Sequence, residues 1–303
     1  MSTQVTMIDT NNYAAMAKAM GIATEGNTSN KQKSSTLARL RINHSPIMGE
    51  AEVKGKTVNM EVVPGGTYKL DVPDGPTYYA QSVTIRPYMQ RFMYKRFVKG
   101  SGNTPNRYIK TVMADTLSID LKDNDGGFNC GKPAGYIADF KDLPEKTQDL
   151  IRQIKRVRVV LGTVELVDAT DASGNTVEVE AMPFIWEIEN RDAFKDVGTV
   201  FNKLNKHKRL PVQHVFAANT EERKLSNGNS FYVPVVSLDL SNTLDLSDIE
   251  QETFGDFMAW VENYNTYIIN LWEENAEYRQ ATVSNDVVED LVDIDFDEEV
   301  EVA

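Results

Sequence analysis

From residue 38 to residue 240, apolar residues come in short runs rich in Val, Ile, Tyr and Phe, cut every few positions by Pro or Gly. Runs this short cannot build long amphipathic helices, and they read as strands joined by tight turns. Candidate strands lie at 38–43, 50–54, 57–63, 67–70, 78–86, 88–98, 107–113, 116–120, 157–167, 176–180, 183–189, 213–219 and 231–238. Turn chemistry separates them: Val53-Lys54-Gly55-Lys56, Pro64-Gly65-Gly66, Asp74-Gly75-Pro76, Ser173-Gly174-Asn175 and Ser226-Asn227-Gly228-Asn229. Two helices interrupt. One opens at Leu143-Pro144-Glu145 with Leu150, Ile151 and Ile154 as its stripe, and the other covers 191–206. The fold class is mainly β, of the α+β kind.

The flanks differ from this body. Residues 7–22 read as a short helix and 23–37 as a polar linker, so that 1–37 precedes the body. At Ser247 the period becomes helical. Ser247-Asp248-Ile249-Glu250 fits a capping box, and Phe257, Trp260, Val261, Tyr264, Ile268 and Leu271 follow helix spacing to about Tyr278. An amphipathic helix over 245–280 is expected to pack on the β body. Tyr267 and Trp272 widen its apolar surface, which leaves a homodimer contact open. Residues 281–303 hold nine acidic residues and no basic one after Arg279, a composition that favours disorder.

Charge follows the same division. The chain has 32 Lys+Arg against 45 Asp+Glu, a net of −13. Beyond Leu238, however, nineteen acidic residues face the lone Arg279, so a body near +5 is joined to an end near −18. The overall acidity therefore does not exclude a polyanionic partner for the body.

Several function classes drop out. The single Cys130 cannot form an internal disulfide, and with only His44, His207 and His214 beside it a Cys/His metal site is not expected. No apolar run reaches the roughly 18–20 residues of a membrane span, and residues 1–5 lack the features of a signal peptide. A soluble cytoplasmic protein is expected. Gly55-Lys56-Thr57 lacks the glycine spacing of a phosphate-binding loop and leads into a strand. Asp123-Asn124-Asp125-Gly126-Gly127 lacks the spacing and terminal Glu of a calcium loop. Cys130 has no well-placed His, and no Ser/His/Asp or paired-carboxylate motif stands out. The expectation is a protein that is not an enzyme and needs no cofactor.

The segment that most suggests chemistry is 83–111. It holds seven basic residues, Arg86, Arg91, Lys95, Arg96, Lys99, Arg107 and Lys110, and no acidic one. Tyr88, Phe92, Tyr94, Phe97 and Tyr108 are interleaved. Alternation along 88–98 puts Tyr88, Phe92, Tyr94 and Arg96 on one face and Met89, Arg91, Met93, Lys95 and Phe97 on the other, neither cleanly apolar. Single-stranded nucleic acid needs this mixture, because cations follow phosphates and rings stack on unpaired bases. Clusters at Arg152, Lys155, Arg156 and Arg158, and at Lys203, Lys206, His207, Lys208 and Arg209, extend the surface.

In plan the chain resembles phage replication single-stranded DNA-binding proteins. The likeness rests on the basic aromatic strand, Val157–Leu166 (VRVVLGTVEL), Pro183-Phe184-Ile185-Trp186, the hairpin Lys224–Val235 with its Tyr-x-Pro, and the acidic end. The resemblance implies an OB-like antiparallel β-barrel with insertions and cooperative or dimeric coating of single strands in replication or recombination. It also implies a tail that recruits replication or recombination proteins, here centred on Asp293, Asp295, Phe296, Asp297, Glu298 and Glu299. Phe296 lies seven residues before the end, further in than the terminal aromatic of such tails. The rival reading is a virion structural or scaffold protein, which many short strands and an amphipathic helix also suit.

Overall fold

The computed structural model describes residues 37–292, apart from residues 54–55, 103–104, 134–136 and 226–227. The expected helix at 7–22, the linker before Leu37, and tail residues 293–303, with Asp293, Asp295, Phe296, Asp297, Glu298 and Glu299, lie outside the described residues.

Strands form at most of the expected runs. They are β1 (Ala38–Ile42), β2 (Ile47–Val53), β3 (Lys56–Val63), β4 (Tyr68–Asp71), β5 (Thr77–Ala80), β6 (Ser82–Val98), β7 (Arg107–Lys110), β8 (Ile154–Val167), β9 (Met182–Ile188), β10 (Phe216–Lys224) and β11 (Ser230–Leu238). The helices are α1 (Glu145–Gln153), α2 (Arg191–Lys206) and α3 (Asp248–Val292). Residues 116–120 form no strand, and 176–180 contribute only the isolated bridge of Thr176 to Thr170.

The main sheet runs β11-β10-β6-β8-β9-β1-β4-β5, with β7 paired to the distal part of β6 and β2–β3 standing apart as a ribbon. All its ladders are antiparallel except β1 with β9, so the sheet is mixed. No ladder joins β11 to β5, and the expected closed antiparallel barrel is corrected to an open sheet. Strand runs and turns do not encode strand order, and the long β6–β8 pairing, from Ser82 with Val167 to Arg96 with Ile154, brings segments far apart in sequence side by side. The sheet curls nonetheless. The Tyr232 amide donates to His44 Nδ1 (3.2 Å), and the Tyr68 hydroxyl donates to the Asn219 carbonyl (3.1 Å).

One irregularity sets the two faces. In β6, Pro87 pairs with Gly162 and Met89 with Leu161, leaving Tyr88 as an extra residue. Proline has no N–H to give a ladder, which suits it to a bulge. A Cβ on Gly162 would stand 2.2 Å from the Arg86 carbonyl oxygen, so the partner strand needs glycine there. The bulge puts Arg86, Tyr88, Met89, Arg91, Met93, Lys95 and Phe97 on one face. Ile85, Phe92, Tyr94 and Arg96 lie on the other.

Helix α3 covers the first face. Phe257 and Val261 pack with Tyr88, Met89, Met93, Val157, Val159 and Leu161. The Tyr264 hydroxyl donates to the Thr111 carbonyl (3.0 Å), and Asn265 bonds both backbone groups of Met113 (2.7 and 2.9 Å). The helix thus packs within its own chain. It also runs past the expected end near Tyr278 to Val292, and residues 281–292, expected disordered, are helical. Val283, Val287 and Leu291 keep a four-residue spacing that a count of charge overlooks. Helix α2 covers the second face, burying Ala193, Val197, Phe201 and Leu204 against Val160, Trp186, Ile188 and Phe216. Asn190 caps it by accepting from the amides of Asp192 and Ala193. No helix among the described residues is long and apolar enough to cross a membrane.

Candidate nucleic-acid interface

The bulge divides the expected binding residues between the two faces, and on the first face several serve the fold. Arg86 donates from Nη1 to Glu250 (2.8 Å), from Nε to the Val212 carbonyl (2.8 Å) and from Nη2 to the Asp245 carbonyl (3.0 Å). It ties the start of α3 to the sheet. Tyr88 is buried with its ring 5.3 Å from that of Phe257, and Arg91 pairs with Asp115 (2.8 Å). Tyr88 therefore offers no ring to a base, and it joins Met89 rather than Phe92 because of the bulge.

Farther along this face Lys95 bridges Glu187 (3.1 Å) and Glu189 (2.5 Å) and lies 4.9 Å from the Tyr108 ring centroid. Burial pushes the Glu187 carboxyl up, but Lys110 and Lys95 outweigh it and hold the group below its ordinary range. Burial lowers the Lys110 ammonium. At the hairpin end Phe97 and Tyr108 form a cross-strand pair, 5.1 Å between centroids, and are 46% and 51% exposed. Those values make them the accessible rings of the segment. Lys99 and Arg107 are exposed beside them, Arg107 bonded to Asp125 (2.5 Å).

The second face carries a cleft of about 710 Å³ between β8 and α2. Arg156, Arg158, Arg191 and Lys195 line it, with Phe194 among them. Arg158 is only 7% exposed. Its Nε donates to the Phe194 carbonyl (3.2 Å) and its Nη1 to Gln90 Oε1. Its guanidinium lies 4.9 Å from the Phe92 centroid and 4.6 Å from that of Phe194. Among the described residues no carboxylate forms a salt bridge with it, and burial alone lowers its pKa to about 10. The one acid on the rim, Asp192, is engaged by Arg223 (3.4 Å). Beyond Arg156 the same face continues to Tyr94, which is buried with its hydroxyl on the Leu117 carbonyl (3.2 Å), and to Arg96. The Arg96 Nε is buried without a hydrogen-bond partner.

Lys206 is exposed in the last turn of α2, eleven residues after Lys195 and so on the same helical stripe. Lys208 and Arg209 are exposed in the loop that follows. The cleft thus gathers Arg156 and Arg158 from the expected set, with Phe92 against the Arg158 guanidinium. It leaves Arg86, Tyr88, Arg91, Lys95, Phe97, Lys99, Arg107, Tyr108 and Lys110 on or around the opposite face. Arg191 and Lys195 were not singled out from the sequence. The available signal was the spacing Arg191, Lys195, Asn202, Lys206 along a helix whose other stripe is apolar. Cys130 is buried, with its thiol pushed up by burial and donating to the Ile109 carbonyl (3.5 Å), a packing residue. Among the described residues no group of His, Cys, Asp and Glu has the arrangement to hold a metal ion. No family model, curated protein or solved structure matches this chain.

Proposed function

We propose that this chain binds single-stranded nucleic acid, DNA in the first instance, with little sequence preference. One observation carries the reading: a cleft with three arginines and a lysine, two phenylalanines against its deepest arginine, and its rim acid already paired. Phosphates would follow Arg191, Lys195, Arg158 and Arg156, while the exposed Phe97–Tyr108 pair offers stacking surface at the hairpin. A closed OB barrel is not required by this reading, since the cleft is made by α2 lying against β8. The acidic end, −9 over residues 286–301, would compete for the cations when no strand is bound and recruit replication or recombination proteins when one is.

The test is a gel shift with labelled oligo-dT at low and high salt. Arg191→Glu with Lys195→Glu should weaken binding and flatten the salt dependence, each lost phosphate contact lowering the log–log slope by about 0.7. Unchanged binding would reject the cleft. Deleting 282–303 should tighten binding and lessen its salt sensitivity; unchanged affinity would end the competition idea.

A second reading, a virion or scaffold subunit, is favoured by the outer side of α3. There Ile249 is 73% exposed, with Phe254 and Met258 at 40% and 43%, a surface that suits self-association. Such a subunit would form large species unaided and bind oligo-dT weakly, whatever the oligonucleotide's length.

A further inference from the structure

We infer that the inner end of the α2–β8 cleft is a seat for one phosphate group, formed by Arg158 with Arg191 and Lys195. This rests on the nucleic-acid reading for the source of the phosphate, a backbone phosphodiester, and adds to it a fixed position in an otherwise diffuse field.

The reasoning starts from Arg158. A guanidinium 7% exposed and without a salt bridge among the described residues is an expensive arrangement. Two neutral acceptors and the rings of Phe92, Phe194 and Phe201 hold it, and none of these supplies a negative charge. Rigidly held, it has lost its rotamer freedom before any ligand arrives, so an anion meets a prepared donor rather than a mobile side chain. Its Nη2 side faces Gly198, where a Cβ would stand 2.4 Å from that nitrogen. Glycine in the middle of a helix is unfavourable by roughly 0.5–1 kcal/mol relative to alanine, and here its missing side chain leaves room for the guanidinium. Arg191 and Lys195 lie one turn apart on the same helix, with the cleft's space open before them. Arg158 thus gives depth and direction, and the two exposed cations close over the outer oxygens.

Two variants separate the seat from general positive charge. Arg158→Met removes the donor. Gly198→Ala keeps every charge and improves helix propensity, but its methyl must displace the guanidinium, so it tests geometry in a folded protein. Inorganic phosphate at millimolar levels, with ionic strength held by KCl, should raise the wild-type melting temperature saturably. Both variants should lose that saturable rise, and each should bind oligo-dT of about 16 nucleotides, the upper end of site sizes for such proteins, roughly tenfold more weakly. If Gly198→Ala and Arg158→Met bind phosphate and oligo-dT like the wild type, the seat is wrong and the broader interface stands. If wild type shows the phosphate effect but no oligo-dT binding, the nucleic-acid source is wrong and the seat stands. A 5′-phosphorylated oligonucleotide should bind no more tightly than its unphosphorylated form; a clear preference for the terminal phosphate would overturn the assignment to a backbone phosphodiester.

Discussion

Replacing Arg158 with methionine should leave stability almost unchanged. Burial lowers this guanidinium from its ordinary range to about 10. At about 1.36 kcal/mol per pKa unit, that corresponds to a cost on the order of 3 kcal/mol for keeping it charged in the folded state. Against this stand two hydrogen bonds from a charged donor, to Gln90 and the Phe194 carbonyl, each contributing about 1.5 kcal/mol. The terms nearly cancel. Methionine would keep contact with the Phe92 and Phe194 rings through its thioether. Urea denaturation at neutral pH should therefore place Arg158→Met within about 1 kcal/mol of wild type, with an unchanged m value. Breaking a buried ion pair that supports the fold costs about 3–5 kcal/mol. A loss of that size would show that Arg158 has a charged partner in the fold and is no vacant donor.

The same group fixes a pH signature. A base with a lowered folded pKa carries its charge at a cost wherever the pH is below about 10. That cost falls away as pH rises through about 10 toward the ordinary guanidinium range. Wild-type stability should therefore rise relative to Arg158→Met across that window, tyrosines and lysines common to both cancelling in the difference. A flat difference curve would contradict the burial argument.

Arg86→Ala should cost about 2–3 kcal/mol in chemical denaturation, since it removes the Arg86 donor from Glu250 Oε1 and from two carbonyls, while oligo-dT affinity stays within about twofold of wild type; a selective loss of affinity would return Arg86 to the interface. Phe97→Ala with Tyr108→Ala should change stability by less than about 1 kcal/mol, because both rings are half exposed, yet weaken oligo-dT binding by about 1–3 kcal/mol for each lost stack; unchanged binding would remove the hairpin from the interface. Glu187 has a folded pKa below its ordinary 4.5, so it contributes stability above that value and loses it as pH falls through the lowered one. Glu187→Gln should therefore destabilise at neutral pH and flatten the acid-side decline, read by thermal melts from pH 6 down to about 3, the range in which ordinary carboxylates titrate.

Much of the local structure was legible because it is written locally. The apolar runs gave most strands, Leu143-Pro144-Glu145 the start of α1, and the Ser247–Glu250 box the start of α3, where the Ser247 amide donates to Glu250 as that motif requires (3.0 Å). What failed was what depends on residues far apart. Strand order, the parallel β1–β9 contact and the open edge at β11 come from pairings that leave no spacing signature. The site fared similarly. Arg156 and Arg158 were visible as a cluster, but the cleft exists because α2 lies across β8, and only that crossing brings in Arg191 and Lys195.

The largest difference between expectation and structure comes from one residue. With strict alternation, Arg86, Tyr88, Phe92, Tyr94 and Arg96 would share a face and form one basic, aromatic stripe. Tyr88 is the extra residue of a bulge, so Arg86 reaches Glu250 of α3 and Arg91 reaches Asp115 and Met258 of α3, while Phe92 and Arg96 turn to the cleft side. The cations of β6 thereby divide: Arg86, Arg91 and Lys95 on one face pair with Glu250, Asp115, Glu187 and Glu189, whereas Arg96 on the other keeps a buried Nε without a hydrogen-bond partner. Two signs in the sequence mark the switch, a proline inside a strand run and a glycine inside the strand that pairs with it, Pro87 and Gly162. Gly162 tolerates no Cβ, with the Arg86 carbonyl 2.2 Å away. The division of charge between fold and cleft therefore depends on a backbone contact rather than on the charges themselves.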